Sequence, residues 1–219
     1  MSKLMYDIIR GVYEYCDASV LKNVIFVSKV HYEVPYCVYK FYENGKMMSK
    51  CEYVNGKREG KYVEWDSTEQ KCCECEYKNG ENEGKFVEWY PSGKKSCECE
   101  YKDGELEGKY MQWHMNGQIF IECEFKNGEF EGKYEEWYYD GQKVIECVYV
   151  NGKKEGKYMK WYSNGQKKIE CEYKDGKLEG EYVQWHMNGV KMKRTSTQEW
   201  GHCAGIFAML PRMTKKRRI

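Results

Sequence analysis

Apolar residues along this chain keep two different rhythms. Over residues 4–32 they recur at Met5, Ile8, Ile9 and Val12 and again at Leu21, Val24 and Ile25, the spacing of one face of a helix. Asp17 stands where it can cap the second of two short helices. Pro35 marks the end of that pattern, because the residue before a proline is steered away from helix. Beyond it the rhythm becomes alternation, as in Ile169-Glu170-Cys171-Glu172-Tyr173, which predicts half-buried strands.

The alternating region is a repeat. Cys51, Cys75, Cys99, Cys123, Cys147 and Cys171 fall at a constant interval of 24 residues, and Trp65, Trp89, Trp113, Trp137, Trp161 and Trp185 keep the same step. Gly60, Gly84, Gly108, Gly132, Gly156 and Gly180 do so as well, and a half unit with Phe41 in the tryptophan seat precedes them. Each unit carries two turn signals, mostly Asn-Gly or Asp-Gly, pairs that accept the positive φ of tight hairpins. Two strands lie between the turns, a K-Y-x-x-W stretch and an I-E-C-E-Y stretch. Read as a four-residue loop, the first turn sets Glu76 against Lys85, Lys78 against Glu83 and Tyr77 over Gly84, so that opposite charges meet. Val148 and Glu181 break that scheme in the last two units. Read as a two-residue hairpin, the second turn sets Tyr110 against Cys123. The expected fold is mainly β: an elongated antiparallel β-hairpin ribbon with a small helical head. With strands ~4.8 Å apart, six units extend about 60 Å, and the two ends of such an array need caps.

Composition narrows the chemistry. The chain has 219 residues, 16% of them aromatic, so its core is drawn from Tyr, Trp, Cys and Val. A net charge of +1 gives no field to attract nucleic acid or an anionic membrane. The first residues lack the pattern of a secretory signal, and no apolar run approaches the ~20 residues of a membrane helix. The expectation is a soluble intracellular protein whose twelve cysteines stay reduced. Neither disulfides nor zinc fit the cysteine ladder, since equivalent positions lie two strands or roughly 10 Å apart, whereas a disulfide spans at most about 7 Å between Cα atoms. Ile121, Ile145 and Ile169 stand where other units have Cys73 and Cys97, an exchange no metal ligand survives. His114 and His186 share repeat positions with Asp66, Tyr90, Tyr138 and Tyr162, and the glutamates repeat from unit to unit, whereas an active site is unique and asymmetric. No enzyme, metal or cofactor is expected.

Parity places Met111 and Trp113 on the face opposite Tyr110 and Cys123. Trp89, Met111, Trp113, Trp137, Met159 and Trp161 are therefore the expected partner-binding stripe of the ribbon, or else a second core if twist folds them inward.

These units resemble MORN repeats of the variant class, G-x-x-x-G-K-Y-x-x-W-x-x-N-G, over residues 38–193, with Glu69 departing where other units have the turn glycine. The resemblance implies an all-β rod that serves as a scaffold or interaction surface. Residues 4–32 are similar to an F-box, the segment that docks on the small adaptor subunit of cullin-based ubiquitin ligases. Leu4, Asp7, Ile8, Ile9, Val12, Tyr13, Asp17, Leu21, Val27, Ser28 and Lys29 carry that likeness, while Met5 stands where the family has proline. It implies partner contact through Leu4, Met5, Ile8, Ile9, Val12, Leu21 and Val27. The pairing of such a head with these repeats resembles a family of large DNA viruses. The expected organisation is a head over 1–36, an array over 37–194, and a C-terminal cap with a basic tail over 195–219. Lys215, Lys216, Arg217 and Arg218 form that tail, a nuclear address or a solvated end. The expected function is that of a substrate adaptor recruiting a ubiquitin ligase to a protein target, in the cytoplasm or nucleus of a host cell. The alternative is a structural or scaffolding protein, a virion component included, whose head is a cap.

Overall fold

The computed structural model describes residues 35–196. They form one antiparallel sheet of fourteen strands, each hydrogen-bonded to its neighbours in sequence order. The first seven are β1 (Tyr36–Phe41), β2 (Met47–Val54), β3 (Lys57–Trp65), β4 (Lys71–Lys78), β5 (Glu81–Trp89), β6 (Lys95–Lys102) and β7 (Glu105–Trp113). The rest are β8 (Ile119–Lys126), β9 (Glu129–Trp137), β10 (Lys143–Val150), β11 (Lys153–Trp161), β12 (Lys167–Lys174), β13 (Lys177–Trp185) and β14 (Lys191–Ser196). Every connection is a tight turn, and so short a link can only join antiparallel neighbours. The expected elongated hairpin ribbon is this sheet. The helical head falls on residues outside those described.

The first turn of each unit is tighter than the sequence reading has it. Asn79 and Gly80 both take positive φ, 53° and 90°, and Lys78 faces Glu81 directly. That is a two-residue type I′ hairpin, whose twist matches that of the strands, in place of the expected four-residue loop. The slack reappears as a bulge, where the ladder steps from Glu76–Glu83 to Glu74–Val87 across Gly84 at φ 69°. The predicted Tyr-over-Gly and Lys-against-Glu contacts are made across the other side of the strand, as Tyr77–Gly60 and Glu76–Lys61. Across the type I′ turn like charges meet instead: Glu52–Glu59, Glu76–Glu83, Glu100–Glu107, Glu124–Glu131 and Glu172–Glu179. One member of each interior pair has a task in the next unit. Glu59, Glu83 and Glu107 accept the backbone N–H of Asn79, Asp103 and Asn127 at 2.7, 2.8 and 2.8 Å.

The second turn is longer than the expected two residues. His114 N–H donates to the Gln118 carbonyl and Gly117 N–H to the His114 carbonyl, both at 2.8 Å, which closes a three-residue loop with Gly117 at φ 94°. The residue added to the loop is matched by one bulged out on the returning strand at Phe120, between the pairs Trp113–Ile119 and Gln112–Ile121. The two irregularities cancel, so Tyr110 faces Cys123 as predicted.

Glu69 occupies the glycine seat of this loop and takes φ 70°, with both closing hydrogen bonds intact at 3.0 and 2.8 Å. Asp66 holds the loop by accepting the backbone N–H groups of Thr68 and Gln70. A side chain in the left-handed region costs roughly 1–2 kcal/mol. Glu69→Gly is therefore expected to stabilise the fold by about 1 kcal/mol, the exposed Lys46–Glu69 pair at 3.4 Å being worth little. Urea denaturation should show a raised midpoint; an unchanged or lowered one would mean that the loop holds Glu69 without strain.

Candidate interaction surface

One face of the sheet is a closed core made without a second layer. The ladder cysteines Cys51, Cys75, Cys99, Cys123, Cys147 and Cys171 are at most 4% exposed. A short side chain lies low on the sheet, and the longer aromatics of neighbouring strands lean over it. Those aromatics meet edge to face in a column: Tyr62–Tyr77, Phe86–Tyr101, Tyr110–Phe125, Tyr134–Tyr149 and Tyr158–Tyr173, with centroids 5.5 to 6.0 Å apart. Ile121 is buried as deeply as Cys97 in the equivalent seat, as expected if cysteine fills space here. Arg58 covers Tyr62 and Tyr77 and donates to the Tyr77 hydroxyl at 2.9 Å, and Lys154 covers Tyr158 and Tyr173. Burial holds the Lys154 ammonium below its usual range.

The other face is laced with charge. Glu74 lies between Lys61, at 2.5 Å, and Lys71, while Glu98 lies between Lys85, at 2.5 Å, and Lys95. Glu170 lies between Lys157 and Lys167 at 2.7 and 2.8 Å. Hydrogen bonds from these lysines hold the three carboxyls below the usual range. The second lysine of each set also covers the tryptophan of the next unit: Lys71 over Trp89, Lys95 over Trp113, Lys167 over Trp185, and Lys143 likewise over Trp161, 5.5 to 5.9 Å from the ring.

All six stripe residues, Trp89, Met111, Trp113, Trp137, Met159 and Trp161, lie on this face and are half-buried. They are thus neither a bare aromatic row nor a second core. Val63, Val87 and Val183, in the seats equivalent to Met111 and Met159, are buried. The lysines that roof the tryptophans were not singled out from the sequence, although their own 24-residue step is visible in it. The tryptophans also serve through their backbone. The carbonyls of Trp65, Trp113, Trp161 and Trp185 accept the hydroxyls of Tyr42, Tyr90, Tyr138 and Tyr162 at 2.7 to 3.2 Å. His114 substitutes for tyrosine in that column, its Nε2 donating to the Trp137 carbonyl at 2.9 Å. Its role is to tie two loops together.

The pattern changes in the middle of the array. Ile119 stands in the lysine seat that would roof Trp137, and two apolar residues occupy the adjoining loop tips, Met115 at 61% and Tyr139 at 58% exposure. These tips touch, since the Asn116 amide donates to the Tyr139 carbonyl at 2.8 Å. The His114 ring packs on Phe120 and Tyr139. Neither loop-tip residue was foreseen as part of a surface, because each tip position is polar or proline in several other units.

Leu4, Met5, Ile8, Ile9, Val12, Leu21 and Val27 lie outside the described residues. Among the described residues no three His, Cys, Asp or Glu side chains gather as metal ligands, and the ten cysteines carry free thiols. What the sheet displays is a repeated surface of aromatic, aliphatic and charged seats, the make-up of an interaction module. The family model described as MORN repeat variant matches residues 37–55, 82–103, 106–127, 130–151 and 154–175. The protein thus has a MORN-repeat-like β-strand domain over residues 37–175. The unmatched stretch 56–81 includes Glu69 and builds the same hairpins. No curated protein matches the sequence.

Two outcomes are expected of these faces. Burial pushes the Cys123 thiol up to about 12 and those of Cys51, Cys147 and Cys171 up to about 11, so few thiolates form at neutral pH. Among the described cysteines, alkylation read by mass spectrometry should label the half-buried Cys37 and Cys72 before the ladder thiols, which react only in denaturant. Rapid native labelling of Cys123 would mean that the core face is open. The second outcome concerns acid. Glu74, Glu98 and Glu170 have folded-state pKa values below their unfolded ones, so their stabilisation is full above the ordinary carboxylate range and is lost as pH falls through and below about 4.5. Glu136, raised by burial, opposes this with a single group. The urea midpoint should drop between pH 7 and pH 3.5, and by less in high salt; an equal drop in both would assign the acid sensitivity elsewhere.

Proposed function

We propose that this is a protein–protein interaction protein, a substrate adaptor whose F-box-like head recruits a ubiquitin ligase and whose ribbon holds the target. The observation that favours a protein target is the central break in the lysine roof. Ile119 beside Trp137, with Met115 and Tyr139 exposed at the adjoining tips, gives an apolar patch inside a charged surround, the make-up of an interaction hot spot. The head's part rests on its sequence likeness alone. The sequence resemblance to repeat proteins of large DNA viruses favours the cytoplasm or nucleus of a host cell as the place where the adaptor works.

A structural reading has its own support. The outer edge of β1 has no strand partner among the described residues, and an open sheet edge requires covering. A head that covers it is a cap, and the ribbon then belongs to a scaffold or virion.

Calorimetry of the full-length protein with the purified ligase adaptor subunit separates the two. On the adaptor reading the two bind, and Met5→Pro tightens the complex several-fold by restoring the family residue at a helix start, where proline is tolerated. Met115→Glu and Tyr139→Glu should leave that binding and the fold intact while abolishing capture of the target. No adaptor binding by either head version, with a lowered unfolding midpoint on deletion of residues 1–34, would establish the cap.

A further inference from the structure

Ile121, Ile145 and Ile169 share one seat of the core face with Ser49, Cys73 and Cys97. Isoleucine in half of these seats excludes a ladder of metal ligands along the whole array, but it does not bear on the two adjacent units that keep a thiol there. In β4 and β6 that thiol stands two residues before the ladder cysteine. Residues two apart in a strand share a face, so Cys73 joins Cys75, and Cys97 joins Cys99, on the core side of the sheet. The two thiols of each pair are in hydrogen-bond contact. Two strand residues separate their Cα atoms by about 6.7 Å, the outer limit of disulfide geometry. Each pair is therefore a preset dithiol that does not readily close on itself.

The sulfurs already have the outer partners of a ligand. The Tyr77 and Tyr101 hydroxyls hydrogen-bond Cys75 and Cys99, and the Tyr110 hydroxyl reaches Cys97. A hydroxyl beside a thiolate donates to it, as outer-shell groups do around bound metals. Arg58, 5.1 Å from the Tyr77 ring centroid, favours negative charge on Cys75. Across the ladders Cys73 faces Glu64 and Glu88, and Cys97 faces Glu88 and Gln112. These carboxylates oppose a free thiolate on Cys73, so its proton stays until a cation displaces it. Cys73 is half-buried and Cys75 is 2% exposed, which sets one sulfur at the mouth of the site and the other beneath it.

Thiolates select soft cations, zinc and copper(I) among them. Structural zinc takes four ligands in a tetrahedron. The two dithiols stand two strands or roughly 10 Å apart, so no single ion reaches all four sulfurs. Copper(I), a closed-shell monovalent ion, is satisfied by two sulfurs in line. We propose that Cys73 with Cys75, and Cys97 with Cys99, each bind one copper(I) ion. Binding replaces two S–H bonds by two Cu–S bonds and releases two protons to solvent; the metal enters and stays as copper(I), so no electron moves.

The test is anaerobic titration of the full-length protein with copper(I) supplied as its bicinchoninate complex, whose colour fades as the protein takes the metal. Two equivalents should transfer, each releasing two protons, and X-ray absorption should find two sulfurs around each copper. Cys73→Ile and Cys97→Ile give these seats the occupant of the later units, where Ile121 is as buried as Cys97. Each should leave the urea midpoint near that of the parent and lose one equivalent, and the double variant should lose both although every other cysteine remains. Should an isoleucine variant unfold, Cys73→Ser and Cys97→Ser serve instead, with the occupant of the first unit, Ser49. Ile121→Cys completes a third pair with Cys123 and should add one equivalent. No uptake by the parent protein, equal uptake by the double variant, or three or more sulfurs around each copper would overturn the proposal.

Discussion

The turns of this protein depend on one another, and the sheet depends on that dependence. A single-layer ribbon has no second layer to satisfy the polar groups that its turns leave over, so each unit does this for the next. On one margin the carboxylate and a strand carbonyl of one unit hold both N–H groups of the following type I′ turn, as Glu59 and Arg58 hold Asn79 and Gly80. On the other margin the Tyr90 hydroxyl holds the Trp113 carbonyl. Such contacts span 20 to 23 residues of sequence, just under one period. An inserted or deleted residue would displace all of them at once, which is a physical reason for the constant step.

The same constraint explains the facing glutamates. Five like-charge pairs across tight hairpins are unfavourable by themselves. They are tolerated because Glu59, Glu83 and Glu107 are given to the next turn, while Glu76, Glu100 and Glu124 stand against Lys61, Lys85 and Lys109 across the opposite ladder. Among the described residues the outer edge of β1 has no strand partner, so the end of the array differs there from its middle.

Function on such a scaffold comes from departures from the repeat. A seat occupied identically in every unit builds the rod; a seat that changes alters the surface locally. His114 replaces tyrosine without loss of the bond to Trp137, so that exchange is structurally silent. Ile119 in place of a roofing lysine, beside Met115 and Tyr139, changes the surface itself, as Met47 does in the same seat before Trp65.

Much of the fold was legible in the residues alone, because alternation, turn dipeptides and an unbroken 24-residue step each constrain the backbone locally and agree with one another. Strand number and order, the Tyr110–Cys123 register and the packing role of the ladder cysteines all follow from that agreement. Two things did not. The residue pattern alone assigned the first turn four residues and missed the bulge at Gly84, because a charge pattern of period two is satisfied equally well across either neighbour of a strand. Only the pairing of all the strands together decides which. The standing of the tryptophans was equally undetermined, since parity assigns a face but not what covers it. Lysines from the unit before, brought over Trp89, Trp113 and Trp161 by the twist and stagger of adjacent strands, make that face half-buried, and such contacts between units exist only once the array is assembled.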